Sequence, residues 1–171
     1  RPAVFCLQAY QHLGLAFEAG EADILLRPPR SRREGLLSRT LWERTALSGA
    51  VQAAGTLALF HWELARTGSL VLAQTVALTT LALFQVVQIG NARSGHRSVF
   101  RSNPFANPFL LLATGASLLV HVLALYVPAT QTLLHVVPLA AAVWGRIAVV
   151  AVSLLVAVEL HKLLRRAPRR P

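Results

Sequence analysis

SLVLAQTVALTTLALFQVVQI, residues 69–89, is apolar almost throughout and interrupted only by small hydroxyls and three glutamines. A block of about 20 such residues is the length at which an α-helix crosses a hydrocarbon core of about 30 Å. Comparable blocks lie on either side of it, and they recur along the chain. Leu41 to Ala65 precedes it across a short turn at Thr67-Gly68, and Asn107–Val127 and Pro138–Leu160 follow. No block alternates apolar and polar residues with the period of a barrel strand. The reading is an all-α integral membrane protein, a four-helix transmembrane bundle with a partial N-terminal helix. With 54% of its 171 residues hydrophobic and only 14% charged, the chain is outside the range of an ordinary soluble domain.

Working outward, residues 1–17 (RPAVFCLQAYQHLGLAF) are moderately apolar but short, and Gln8, Gln11 and His12 interrupt them. They read as a partial or amphipathic helix. Residues 18–40 form a polar linker in which Pro28-Pro29 forbids helix. Residues 41–171 make the four-span membrane domain, with spans at 41–65, 69–89, 107–127 and 138–160 and a basic tail. Pro108 suits a first helical turn. The chain has no methionine and begins inside an apolar stretch without a signal-peptide pattern. It is therefore expected to be a trimmed part of a longer polypeptide. Cys6, being alone, supports neither a disulfide framework nor a zinc cluster.

The net charge of +10 raises the question of nucleic acid. The arginines sit between the apolar blocks, however, with no interleaved aromatics and no basic stripe, so the charge belongs to membrane flanks. Arg27, Arg30, Arg32, Arg33 and Arg39 precede span one, with Arg44 just inside it. Arg93, Arg97 and Arg101 follow span two, and Lys162, Arg165, Arg166, Arg169 and Arg170 close the chain. With an even number of spans these segments share one side. The positive-inside rule makes linker 18–40, loop 91–106 and the C-terminus of this multi-pass cell-membrane protein cytoplasmic. Trp62, Tyr126 and Trp144 then fit an aromatic belt at the opposite boundary.

Polar residues inside spans are the first candidates for function. At 100° per residue Gln74, Gln85 and Gln88 fall within about 80° of one another. Gln85 and Gln88 are the candidates for oxygens near a cation path, against a plainer role in interhelical hydrogen bonds of about 0.6 kcal/mol each. No carboxylate joins them, and no residue is assigned as a metal ligand. Gly49 and Ala53 form a small-xxx-small pair that lets another helix approach closely. His121 lies mid-span with Ser117 one turn before it and reads as a buried, hydrogen-bonded histidine, against the alternative of a proton relay. Glu159, His161 and Lys162 read as a solvated helix end, and Glu18, Glu21 and Asp23 as a solvated or domain-facing acidic surface. No phosphate loop and no Ser/His/Asp or Cys/His set of suitable spacing is present, so no catalytic residue is assigned.

An ordered set of short motifs adds to this. Leu13-Gly14-Leu15-Ala16-Phe17-Glu18, Glu21-Ala22-Asp23-Ile24 and Arg27-Pro28-Pro29-Arg30 come first. Leu37-Ser38-Arg39, Ala92-Arg93-Ser94 and Ser98-Val99-Phe100 follow. Asn107-Pro108-Phe109-Leu110, Val127-Pro128 with Gln131, Trp144 and Glu159-Leu160-His161-Lys162 complete it. The set resembles the C-terminal membrane region of calcium-pump-like P-type cation-transporting ATPases, helices seven to ten with the end of helix six. The resemblance implies a non-catalytic membrane part of an ion translocase, supporting ATP-driven cation transport. It implies the remaining pump domains or helices as partners, in the same gene or a separate chain, beside the lipid bilayer and without nucleic acid. Mg-ATP and a transported cation belong to the complete pump, and no cofactor to this chain. The family's phosphorylated Asp-Lys-Thr-Gly motif is absent. The sixth-helix ligand pattern falls near Val4, Leu7 and Gln8, where its asparagine and aspartate are missing. Gln85 lies near the position at which the eighth helix of such pumps donates a side-chain oxygen. A stand-alone four-helix membrane interaction protein, or a remnant of a pump gene, are the alternatives.

Overall fold

The computed structural model describes residues 39–93 and 107–164, and among them all regular structure is helical. The partial helix at 1–17, the linker before residue 39, loop residues 94–106 and the tail beyond 164 lie outside the described residues, and with them the expectations for Cys6, Glu18, Glu21 and Asp23. Five helices follow in order: α1 Arg39–Thr67, α2 Leu70–Arg93, α3 Pro108–Tyr126, α4 Pro128–Leu134 and α5 Ala141–Leu164. Leu70–Ala92, Pro108–Tyr126 and Ala141–Leu164 are each long and apolar enough to cross a membrane. α1 is longer, at 29 residues, but Glu43, Arg44, Glu63 and Arg66 make it more polar.

Local chemistry sets the boundaries. α1 ends where Gly68 takes a left-handed φ of +67°, and its N–H donates to the carbonyl of Leu64 at 2.8 Å. Glycine suits that C-terminal position because it has no Cβ to clash. The Ser69 hydroxyl then accepts from the Leu72 N–H at 3.3 Å and starts α2. The Asn107 side chain caps α3 in the same way, accepting from Leu110 N at 3.0 Å, with Pro108 in the first turn. Pro128 has no N–H to continue that helix, so α3 stops and α4 starts afresh. α4 was not foreseen, and it moves the start of the last helix from Pro138 to Ala141.

α1, α2 and α5 pack against one another, whereas α3 leans on α2 and α4. On α5 the buried residues Val143, Ile147, Ala151, Leu154, Val158 and Lys162 recur every three or four positions, which draws one inward stripe. Its upper part joins Leu59, Val76, Leu125, Val136 and Leu139, and its lower part joins Phe84. Leu112, Leu119, Val149 and Val156 point outward with most of their surface open. In water such a surface would be an aggregation liability, while in a bilayer it is the lipid-facing side. The protein is an all-α membrane bundle.

Candidate functional site

The turn at Gly68 folds α1 back along α2, so residues at equal distance from the turn meet. Gln52 and Gln85 are such a pair, and Gln85 Nε2 donates to Gln52 Oε1 at 3.4 Å. The same register puts Gln88 level with Gly49. Both Gln85 and Gln88 are half-buried, whereas Gln74 is exposed. Three residues on one side of a helix share an environment only while the neighbouring helix stays alongside, and here the companion amide is supplied at one level only. Gln88 Oε1 and the Thr56 hydroxyl are buried with no hydrogen-bond partner among the described residues. The seam therefore carries amide and hydroxyl oxygens with spare acceptor capacity, in a setting where an unsatisfied polar atom is costly. Among the described residues no group of three or more His, Cys, Asp or Glu side chains comes together as a metal site.

Gly49 and Ala53 face away from this bundle, and a Cβ added at Gly49 would meet nothing within 4 Å. The tight approach inside the chain is at Gly55 instead. A Cβ there would lie 2.8 Å from Val150 Cγ1 on α5 and 2.9 Å from Phe84 Cζ on α2. Gly55 thus sits at the junction of the three packed helices, and the Gly49/Ala53 side remains open.

A second polar cluster joins α1 to α5 at the turn end. Glu63 is only 2% exposed, and its carboxylate accepts from Arg66 one turn on and from Arg146 Nη2 at 3.1 Å. None of the three is among the candidates that the polar residues of the spans offered. The signal was there: Glu63 is the sole acidic residue between Glu43 and Glu159. A carboxylate in such a stretch calls for a partner inside the protein.

His121 is hydrogen-bonded as expected, though across helices and not within its own. Its Nε2 lies 3.1 Å from the Thr79 hydroxyl of α2, and Thr79 is fully buried. Tyr126 and Trp144, expected at a boundary, are bonded to one another. The Tyr126 hydroxyl donates to the Leu139 carbonyl at 2.7 Å and receives Trp144 Nε1 at 3.1 Å. At the other end of the bundle the solvated helix end is corrected. Lys162 is 5% exposed and donates to Glu159 at 2.9 Å, while His161 Nε2 lies 3.7 Å from Glu43 on α1. The α5 stripe carries Lys162 inward one turn below Val158, so its ammonium needs a carboxylate nearby.

A membrane bundle with an amide seam invites comparison with known transporters. The family described as "Cation transporting ATPase, C-terminus" matches residues 8–164. This chain belongs to that family. The domain is similar to the probable cation-transporting ATPase F of Mycobacterium tuberculosis, 34% identical over 93% of this chain and 18% of the relative. It is similar also to a calcium-transporting ATPase of Bacillus subtilis, 32% identical over 77% of this chain and 15% of that protein. In Mus musculus the calcium-transporting ATPase type 2C member 2 is 33% identical over 68% of this chain and 12% of its own length. The chain spans less than a fifth of the length of these curated relatives. The family is that of the C-terminal membrane region of P-type cation-transporting ATPases, as the ordered motifs implied.

Proposed function

We propose that this domain braces the cation path of an ATP-driven, calcium-type pump. On this reading the remaining pump domains, in the same polypeptide or a separate chain, are its partners. They bind Mg-ATP and carry out the phosphoryl chemistry, and the transported cation is the substrate of the whole. The observation that carries the reading is the amide seam, with Gln85 bonded to Gln52 and Gln88 one turn along the same helix, in a member of this family. Gln85 and Gln88 supply uncharged oxygens beside the path, and carboxylates from elsewhere in the pump supply the charge that hard cations prefer. The open Gly49/Ala53 side of α1, level with the seam, receives a helix from that remainder. α1 is a fourth span, its charged ends at the two interfaces and its apolar centre packed on α2 and α5. Four spans put linker 18–40, loop 91–106 and the C-terminus on the cytoplasmic side.

The test is ATP-driven Ca²⁺ uptake into vesicles holding the pump remainder together with this domain. Gln85→Leu is expected to weaken the apparent cation affinity several-fold, while the exposed Gln74→Leu leaves it unchanged. Unaltered uptake when the domain is withheld would refute the bracing role.

A further inference from the structure

The segment joining α3 to α5 is built unlike the turn beside it. Between Tyr126 and Arg146 there is no Asp, Glu, Lys or Arg, and His135 is the sole titratable side chain. The neighbouring turn at Gly68, at the same end of the bundle, has Glu63 and Arg66 close by. The joining segment also satisfies its backbone from within. α3 ends with carbonyls that have no partner inside the helix, and the segment itself supplies donors to two of them and a hydroxyl within reach of a third. Val127 N donates to Leu123 O at 2.9 Å. The Thr130 hydroxyl, with one proton to give, lies within reach of Ala124 O at 2.9 Å and of Val127 O at 2.7 Å. Gln131 Nε2 donates to Leu125 O at 2.8 Å.

Further on, Val136 N donates to Gln131 O, and Val137 N donates to the buried Thr75 hydroxyl of α2 at 3.2 Å. A loop in free solvent has no need of this closure, because water supplies the missing partners. A loop at membrane depth does need it. The apolar side chains complete the pattern. Leu133 is 77% exposed with Leu134 beside it, and Leu123 and Tyr126 at the end of α3 and Val127 after it are exposed too.

The geometry points to α4 as an interfacial anchor, with Leu133 and Leu134 seated in the headgroup–acyl boundary of the bilayer. The inference rests on α3 and α5 crossing the membrane, and it adds that their connection does not stand out in water. Interfacial seating of short apolar segments follows from the area they bury there. The anchor would fix the depth of α3, which has few contacts with the rest of the bundle.

The experiment uses the full chain with Cys6→Ser, reconstituted in phosphatidylcholine vesicles and carrying an environment-sensitive fluorophore on Leu133→Cys or, separately, on Leu119→Cys. Leu133 is so exposed that its replacement removes few contacts, and circular dichroism checks that helix content is kept. The label at 133 is expected to be quenched several-fold more by lipids spin-labelled near the headgroup than by aqueous iodide. The label at 119, in the middle of α3, should respond most to lipids spin-labelled near the acyl end. If the 119 label lies deep but the 133 label is quenched by iodide as fully as free dye, the anchor is overturned while the span stands. If the 119 label is itself open to iodide, the spanning reading beneath the inference fails. Shielding of the 133 label from both iodide and spin-labelled lipid would mean that another copy of the chain covers the leucines, which overturns the anchor too.

Discussion

Gly49→Ala and Gly55→Ala are the same substitution, six residues apart on α1, and the structure assigns them opposite signs. Each replaces a glycine in a helix interior, which by itself favours the folded state by about 0.5–1 kcal/mol. At Gly49 nothing lies within 4 Å of the new methyl, so that gain stands alone. At Gly55 the methyl would lie 2.8 Å from Val150 and 2.9 Å from the Phe84 ring. Phe84 is fully buried and its ring has no free space to swing into. Overpacking of this kind costs about 1–3 kcal/mol, and two contacts below 3 Å argue for the upper half of that range. The net effect at Gly55 is a loss of about 1–2 kcal/mol, and the two variants should differ by about 2–3 kcal/mol. For a chain of this size that separates their midpoints by on the order of 5–10 °C. Thermal unfolding of the isolated chain in detergent, followed by circular dichroism, reads the difference directly. Equal midpoints, or a Gly55→Ala variant at least as stable as Gly49→Ala, would refute the three-helix junction.

Removing the partners of the α1–α5 ion pair should be asymmetric. Arg146→Ala leaves Glu63 buried with Arg66 alone, at a cost of about 2–4 kcal/mol. Glu63→Leu leaves two guanidiniums that already reach solvent and should cost less; denaturant titration showing the reverse order would sink this account. A double-mutant cycle of His121→Phe with Thr79→Val should give a coupling of about 0.6 kcal/mol, the usual worth of a polar contact between membrane helices. Strict additivity would mean that the two side chains do not meet. Tyr126→Phe strips the donor from the Leu139 carbonyl and the acceptor from Trp144, costing about 1 kcal/mol. Trp144 emission should shift with it, and an unchanged spectrum would contradict the bond.

Much of the bundle was legible because its signals are local. Apolar blocks of spanning length, Gly68 after α1, and Asn107-Pro108 before α3 act through their own residue types and near neighbours. The amide seam was half legible. Helical angle gathered Gln85 and Gln88, but the partner Gln52 follows only from the register that the Gly68 turn imposes. Gly49 and Gly55 show where sequence reasoning reaches its limit. A small-xxx-small spacing identifies a side of a helix and says nothing of which helix comes, and here the helices of this chain come to Gly55. Glu63 escaped notice and Lys162 was misjudged for a related reason. Lys162 was read from its place at a helix end, whereas the burial of both depends on how α5 packs on helices far away along the chain.

The distance between Glu63 and Arg146, 83 positions along the sequence, bears on how the domain is made. Membrane proteins are inserted as they are synthesised, and α1 and α2 emerge together as a hairpin. At that moment the carboxylate of Glu63 has Arg66 one turn away but lacks the cross-helix guanidinium. The face that will take α5 is open as well. Only when Ala141–Leu164 has left the ribosome do Ile147, Ala151 and Leu154 fill the groove and Arg146 reach the acid. The hairpin must therefore wait for the helix that completes it, and a chain truncated before α5 would present an acidic, unfilled surface of the kind membrane quality control acts upon.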